Sequence, residues 1–298
     1  PTKGKGLEAQ KWYHFAVSYD AASGTTLLYQ NGTVVASLSS SIGQPMNIDQ
    51  FQMISSGEEY FLVDAGGGNG IFKQLEQAGV PFTGIREMFV THAHTDHILG
   101  AIWVIRKIAT LMSNDKYRGN FIVYGHNEVI DALRTFCRLT LPGKILKYID
   151  ERIFWGEVKD GTRKEILGLP ICFFDILSTK MKQFGFRVLL PDGQVLVCLG
   201  DEPYNEVCKK YVEQADWLLA EAFCLYRDRE IFSPYEKHHS TALDAGRLAE
   251  ALGVKHLVLY HTEDKTLAER KEAYTREASS VFTGRVYVPD DLERISLE

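Results

Sequence analysis

Residues 91–97 read Thr91-His92-Ala93-His94-Thr95-Asp96-His97, and this stretch decides the fold. Three imidazoles and one carboxylate crowd into it, a donor set that suits divalent metals such as zinc, manganese or iron. It follows the apolar sequence of a buried strand and precedes a long apolar run with helical spacing. The pattern therefore predicts a metal-binding loop held between two rigid elements.

The spacing of the donors matters as much as their identity. His92 and His94 alternate along an extended backbone, so both side chains can point to one side and hold one ion. Asp96 and His97 follow where the chain must turn, and they are free to face a second ion. A surface histidine cluster could arise by chance, but a crowded polar run between a strand and a helix favours the metal site.

Composition limits the classes of partner. The chain has 298 residues, of which 45% are hydrophobic and 24% charged, so it can bury a large core as one domain, with or without a small module. The net charge of −6 and the lack of a long basic run argue against a nucleic-acid-binding protein. A small anionic substrate stays possible because a metal centre supplies its own positive charge.

Cysteine usage and hydropathy indicate a cytoplasmic protein. The five cysteines form no Cys-x-x-Cys pair and stand in apolar contexts, which is typical of buried free thiols. These residues are Cys137, Cys172, Cys198, Cys208 and Cys224. No secretory signal is visible, and no apolar run approaches the length of a membrane span.

Residues 1–57 differ from the rest of the chain. Short strands are predicted at 12–19, 25–29 and 33–38, with a hairpin turn at Asn31-Gly32. The stretch resembles a piece of a laminin-G-like or concanavalin-like β-sandwich, but the likeness covers about 40 residues, far short of the seven strands such a sandwich needs. We therefore expect an atypical β-rich segment that is part of the main sheet or packs on it.

Residues 58–298 alternate between strand and helix patterns, which predicts sheets covered by helices. The stretches 139–165 and 225–238 give mixed signals, so we expect loops or short helices over the site. Strands are predicted at 60–64, 85–90, 120–124, 171–176, 184–190, 194–199, 217–221, 255–260 and 285–288, and helices at 71–78, 98–113, 127–138, 204–214, 241–252 and 266–279.

Polar residues end two of the predicted buried strands. Asp201 follows the apolar run at 196–200, and His261 follows the run at 257–260. The carboxyl ends of strands are where sites gather in α/β folds. A lone residue at such a position is more often a cap, but two such ends together with the histidine-rich loop favour a shared metal centre.

These motifs together resemble the metallo-β-lactamase superfamily, and within it the ribonuclease Z-type branch. The resemblance rests on the histidine motif, on Asp64 in Val-Asp-Ala-Gly, on Asp201 in Leu-Gly-Asp and on His261. Further matches are Glu221 in Ala-Glu-Ala-Phe, His239-Ser240-Thr241-Ala242 and Phe184-Gly185-Phe186-Arg187. The likeness spans residues 58–290 and implies an α/β (α+β) protein built as an αββα sandwich.

The resemblance implies two metal ions at one edge of the paired sheets. His92 and His94 would hold the first ion, and Asp201 would bridge to the second. Asp96, His97 and His261 would hold that second ion. Zn²⁺ is the expected metal, with Mn²⁺ or Fe²⁺ as alternatives.

The family pattern also implies roles around the metals. Asp64 would support the motif loop by hydrogen bonding. Glu221 would orient His239, which would donate a proton to the leaving group, with His238 as the neighbouring alternative. Asp96 would bind metal and help to orient the nucleophile.

One expected ligand is missing. The family has a further first-metal histidine before the Phe184 hairpin, and here Leu177 is the best candidate for the vacated position. The first ion would then be weakly held or lost, or would use Asp175 or His126 instead. A solvated loop histidine is the alternative interpretation of His126.

The implied reaction is hydrolysis of a phosphate ester, a diester or an activated triester, by a metal-bound hydroxide. Sulfate esters or lactones are alternatives on the same centre, and so is a catalytically weak metal-binding protein with a degraded first site. The long arm that clamps transfer RNA in ribonuclease Z enzymes is absent between the Phe184 hairpin and Asp201. Transfer RNA is therefore not expected as a substrate, whereas a homodimer is expected because this branch is often dimeric.

Overall fold

The computed structural model describes residues 15–20, 25–30, 33–39, 52–56 and 58–297. The chain divides into two compact units, Pro1–Asn47 and Ile48–Glu298. The first unit holds an antiparallel sheet of β1 (Phe15–Asp20), β2 (Thr25–Gln30) and β3 (Thr33–Ser39). Antiparallel pairing of β2 with β3 confirms the predicted hairpin, whose turn lies outside the described residues. The predicted division at residue 57 stays a prediction.

The second unit contains twelve strands and eight helices among its described residues, besides short 3₁₀ turns. The strands are β4 (Gln52–Ser56), β5 (Glu59–Val63), β6 (Ile85–Phe89), β7 (Phe121–Gly125), β8 (Ile153–Glu157), β9 (Arg163–Ile166), β10 (Leu169–Asp175), β11 (Phe184–Leu189), β12 (Val195–Cys198), β13 (Trp217–Glu221), β14 (His256–Tyr260) and β15 (Arg285–Tyr287). The helices are α1 (Ile71–Gln77), α2 (Thr95–Ser113), α3 (Asn127–Thr140), α4 (Gly143–Leu146), α5 (Lys209–Val212), α6 (Arg229–Phe232), α7 (Ala242–Ala251) and α8 (Arg270–Ser279).

The strands of the second unit form two sheets. The five-stranded sheet has the order β4-β5-β6-β7-β8, in which only β4 runs antiparallel to its neighbour. The seven-stranded sheet has the order β15-β14-β13-β12-β11-β10-β9, antiparallel from β9 to β12 and parallel from β12 to β15. The parallel strands of each sheet end in loops that carry the polar motifs.

The two sheets face each other across an aromatic core. Phe89 of β6 packs on Phe173 of β10 with ring centroids 4.7 Å apart, and Phe61 of β5 meets Phe186 of β11 at 6.2 Å. The outer face of the smaller sheet is covered by α1 to α3, and that of the larger sheet by α7 and α8. The predicted αββα sandwich is confirmed, since each sheet buries one face against the other and one against helices.

Several boundaries depart from the sequence predictions. The stretch 139–165 contains the short helix α4, as predicted, but also β8 and the start of β9, because pairing with β7 and β10 decides such short strands. The predicted helix at 204–214 shrinks to a 3₁₀ turn and α5: the Asn205 side chain accepts from Val207 N, and Gln214 ends the segment with a φ of 57°.

Helix α2 begins earlier than predicted, at Thr95. Asp96 and His97 therefore lie in its first turn, not in a turn that precedes the helix. His94 stays extended with φ −65° and ψ 150°, so the chain changes from strand-like to helical geometry inside the histidine motif. An acidic side chain in the first turn also suits the positive end of the helix dipole.

The sequence also predicted buried thiols and no membrane-spanning segment. None of the five cysteines forms a disulfide, and four of them are buried, as the sequence predicted; Cys172 is half-buried. No helix in the described part of the chain is long and apolar enough to cross a membrane.

Candidate metal centre

The candidate centre lies where the carboxyl ends of strands from both sheets meet. Strands β5 and β6 deliver Asp64 and the histidine motif, and β12, β13 and β14 deliver Asp201, Glu221 and His261. All of these residues follow or end a parallel strand, so the topology itself brings them to one edge.

A first donor cluster consists of His92, His94 and Asp201, whose ligand atoms lie within 4.8 Å of one another. His92 Nε2 is 3.4 Å from Asp201 Oδ2 and 2.8 Å from His94 Nδ1. His92 and Asp201 are buried, whereas His94 is half-buried at the rim. The cluster therefore opens toward solvent on the His94 side.

A second donor cluster consists of Asp96, His97 and His261, again within 4.8 Å. His97 Nε2 is 3.5 Å from Asp96 Oδ2 and 3.6 Å from Asp201 Oδ2. His261 Nε2 is 3.8 Å from the same Asp201 oxygen. Asp201 Oδ2 thus stands between the two clusters, at the place the resemblance implies for a bridging carboxylate.

The donors fit divalent cations. Two ligands about 2.1 Å from a tetrahedral zinc ion stand about 3.4 Å apart, which is close to these separations. The separations between the imidazoles and the Asp96 and Asp201 carboxylates, 3.4–3.8 Å, are too long for good hydrogen bonds, and His97 Nε2 is buried without a hydrogen-bond partner. A buried ring nitrogen aimed at two carboxylates without bonding to either is what a metal-ligand position requires.

Asp64 holds the second cluster in place. Its Oδ1 accepts from Thr91 N at 2.8 Å, and its Oδ2 accepts from Thr91 Oγ1 at 2.8 Å and from His97 Nδ1 at 2.9 Å. This last bond puts the His97 proton on Nδ1 and leaves Nε2 to face the cluster. Burial lowers the pKa of His97, but the facing Asp64 carboxylate outweighs it, with help from Asp201 and Asp96, and the pKa is raised to about 9.

A related chain of bonds orients His92. The Thr91 hydroxyl donates to Asp64, so its oxygen accepts the Nδ1 proton of His92 at 2.9 Å. His92 Nε2 is then unprotonated and faces Asp201. The buried Asp64 thus acts on both clusters through Thr91 and His97.

Gln183 is a buried amide that sequence reasoning missed. Its Nε2 donates to Asp201 Oδ1 and lies 3.3 Å from His92 Nδ1. The approach needs Gly200, whose φ is 87° and at which a Cβ would stand 2.6 Å from Gln183 Nε2. A glutamine before an apolar hairpin carries no distinctive sequence signal, so only the contact identifies it.

Glu221 and His239 form a third group beside the second cluster. Glu221 Oε2 is 3.6 Å from His239 Nδ1, and Glu221 Oε1 accepts from Ser240 N at 2.5 Å. Burial raises the pKa of Glu221. A capping box between Thr241 and Asp244 starts α7 directly after this segment and fixes the backbone that carries His239.

Two neighbouring rings, one stacked and one tilted, confine His239. Its ring lies 4.9 Å from that of Phe223 and 5.0 Å from that of His261. His238, the alternative proton donor, faces elsewhere: its Nδ1 is 2.9 Å from Thr179 Oγ1. The geometry therefore favours His239 over His238 for a role at the centre.

Neither proposed substitute for the missing histidine joins a donor cluster among the residues described. His126 is fully buried against Phe184, and burial lowers its pKa to about 4, so the interpretation as a solvated loop histidine is wrong. Asp175 Oδ1 instead accepts from Leu177 N in a turn. Leu177 is 47% exposed with a φ of 55°, and the first cluster keeps three members.

The chain is similar in sequence and in fold to several known proteins. The chain is 25% identical over 274 residues to ribonuclease Z of Thermobifida fusca (strain YX), covering 77% of this chain and 84% of that protein. The metallo-β-lactamase fold protein YhfI from Bacillus subtilis superposes with a TM-score of 0.64 at 21% identity, over 80% and 88% of the two chains. Human tRNase Z, short form, gives 0.62 at 19%, over 83% and 91%.

These matches correct the prediction that transfer RNA is not a partner. Both a ribonuclease Z and a tRNase Z share this fold over most of their length. The prediction relied on net charge and on one absent arm. Charges farther away than about 8 Å are largely screened at physiological salt, so the overall charge says little about binding at a local site.

A family model for the Beta-lactamase superfamily domain matches residues 59–262. The match takes in the whole histidine motif, Asp201, Glu221 and His261, and it spans most of both sheets. The fold and the sequence therefore agree, and the chain belongs to the β-lactamase superfamily as a metallo-β-lactamase-fold hydrolase.

Proposed function

We propose that the protein is a metal-dependent hydrolase of phosphodiesters, with activated phosphotriesters as further substrates. The observation that carries the proposal is the pair of donor clusters that share Asp201 Oδ2 beside the Glu221–His239 pair. The relationship to a protein named ribonuclease Z supports phosphodiester cleavage as the reaction class. Transfer RNA therefore belongs among the substrates to be tested.

His92, His94 and Asp201 would hold one cation, and Asp96, His97 and His261 would hold the second with Asp201 as the shared ligand. Such ions supply a Lewis acid that acidifies water and offsets charge on the phosphate. Zn²⁺ is the proposed metal because imidazole and carboxylate ligands about 3.4 Å apart match its coordination.

The chain itself orients these donors and manages the leaving-group proton. Asp64 fixes the His97 tautomer, and Thr91 fixes that of His92. The Glu221 carboxylate faces His239 Nδ1, so it would stabilise an imidazolium that keeps one proton on Nδ1 and presents the other, on Nε2, outward. A positioned imidazole of this kind can protonate a departing alkoxide.

The leaving group separates the proposed reaction from β-lactam hydrolysis. A ribose or alkyl alkoxide is a poor leaving group and gains most from a proton donor at His239. Sulfate esters and lactones share the developing oxyanion and are the alternative substrates for the same donors.

Metal analysis combined with turnover tests the proposal. We expect purified protein to hold two divalent ions and to hydrolyse bis(p-nitrophenyl) phosphate. Asp201→Ala should lose both the bound ions and the hydrolysis. The control Asp131→Ala, which removes an exposed carboxylate, should retain the ions and the hydrolysis. A metal-free wild type, or an Asp201→Ala variant with unchanged turnover, would contradict the proposal.

A catalytically weak metal-binding protein is the second candidate. The three-member first cluster favours it, because His126 and Asp175 supply no further donor. Tight binding of one ion per chain, with no turnover of phosphodiester, sulfate ester or lactone, would favour this candidate over the first.

A further inference from the structure

A short loop, residues 178–181, is fastened beside the candidate centre. The Ser178 hydroxyl donates to Glu202 Oε1 at 2.6 Å, and Thr179 N donates to Glu202 Oε2 at 3.4 Å. Ser178 Oγ also accepts from Lys180 N and Met181 N, each at 3.3 Å. Glu202 is buried and directly follows Asp201 in the chain. The loop is therefore bonded to the residue next to the shared ligand Asp201.

The opposite side of the loop is anchored to the proton-donor segment. Thr179 Oγ1 lies 2.9 Å from His238 Nδ1, one residue before His239. Both attachment points thus adjoin residues of the candidate centre. A loop tied at two points by hydrogen bonds keeps its exposed side chains in a narrow range of positions.

Lys180 is the side chain that this loop presents to the centre. Its Nζ donates to His239 Nε2 at 3.2 Å, although the residue itself is exposed. The ammonium therefore stands beside the nitrogen of His239 that does not face Glu221. Glu221 faces the other nitrogen of the same ring, 3.6 Å from His239 Nδ1.

We propose that Lys180 is a substrate-anchoring residue, which binds a non-bridging oxygen of an anionic phosphate ester next to His239. This inference rests on the proposed function. An ammonium is a compact point charge with three donors, so it can bond a phosphate oxygen that lies beside His239. Its position selects substrates that carry a negative charge at the reacting group over neutral esters.

The test compares Lys180→Gln with the matched control Lys182→Gln. Lys182 is half-buried two residues away, and its Nζ donates to Asn127 Oδ1 at 2.7 Å instead of to His239. Zinc-loaded proteins are assayed with anionic bis(p-nitrophenyl) phosphate and with neutral diethyl p-nitrophenyl phosphate. Binding of inorganic phosphate is measured separately by calorimetry, without any turnover.

We expect Lys180→Gln to raise KM for the anionic diester and Kd for inorganic phosphate, each by about 5- to 10-fold, as for one partly exposed charged hydrogen bond. KM for the neutral triester should change by less than about twofold. Lys180→Arg should restore most of the phosphate binding, and Lys182→Gln should resemble the wild type. The anionic preference should weaken as salt is raised.

Equal phosphate affinity in the wild type and Lys180→Gln would overturn the inference, and so would equal losses on anionic and neutral esters. If the wild type hydrolyses the diester and Lys180→Gln binds phosphate as well as the wild type does, the anchoring role of Lys180 is overturned and the proposed function is not. Conversely, weakened phosphate binding in Lys180→Gln, in a protein that hydrolyses no phosphate ester, supports Lys180 and overturns the proposed function. Absence of phosphate binding to the wild type overturns the anchoring role.

Discussion

The contact between Asp64 and His97 makes the stability of the metal-free protein depend on pH. Their atoms lie 2.9 Å apart in a buried site, and the pKa of His97 is raised from 6.5 to about 9. A group with a raised folded pKa stabilises the folded state fully below its unfolded pKa, and that stabilisation is lost as pH rises through the folded value. The relevant window therefore runs from about pH 6.5 to pH 9.

The size of the effect follows from the same pKa. At about 1.4 kcal/mol per pH unit, the change from 6.5 to about 9 corresponds to about 3 kcal/mol of unfolding free energy. Asp64→Asn removes the carboxylate charge that contributes most to the rise. The three groups that face the Asp64 oxygens are all donors, so an amide nitrogen there also loses at least one hydrogen bond, at about 1–3 kcal/mol.

Urea unfolding of chelator-treated wild type and Asp64→Asn at pH 6.5 and pH 9 measures this effect. Other groups that titrate in this range are common to both proteins, so their contributions cancel in the difference. The wild type should lose about 2–3 kcal/mol more than Asp64→Asn between the two pH values. Curves that shift in parallel, with a difference under about 0.5 kcal/mol, would refute the assigned coupling.

Three further predictions address metal binding, proton donation and assembly. Gln183→Leu should weaken zinc binding by about tenfold, measured by titration against a competing chelator, because Asp201 loses a buried hydrogen-bond donor. His239→Ala should lower kcat by about 10²- to 10³-fold for an alkyl or ribonucleoside diester and by far less for a p-nitrophenyl diester, whose leaving group needs no proton. Light scattering on a sizing column should give the mass of a homodimer, as the likeness to the ribonuclease Z branch implies.

Each of these has a contrary outcome. Unchanged zinc affinity in Gln183→Leu would show that Asp201 is held without its amide partner. Equal losses with both leaving groups in His239→Ala would assign His239 to binding or structure. A single monomer mass at every protein concentration would exclude the homodimer.

Much of the fold was predictable because hydrophobic periodicity is a local property. The strands at β5, β7 and β13 and the helix α3 stand within one or two residues of their predicted positions. Strands β8 and β9 were not predicted, because both are short and β9 is mostly charged. Pairing with β7 and β10 decides them, and such pairing joins residues distant in sequence.

The principal donors were predictable for a related reason. The order of residues in the motif and the position of Asp201 and His261 after apolar runs place them at strand ends, and parallel strands bring those ends together. By itself, then, the sequence determined the layer architecture, the donor types and the edge at which they meet.

Only the tertiary structure decided which atoms support and surround those donors. Gln183 reaches His92 across 91 positions of the chain, and Lys180 reaches His239 across 59. Neither contact leaves a mark in local composition or spacing, because contacts at about 3 Å between residues so far apart in the sequence arise only when the chain is packed. Residue types can be inferred from short-range pattern, whereas the charge and proton placement at the centre depend on long-range packing.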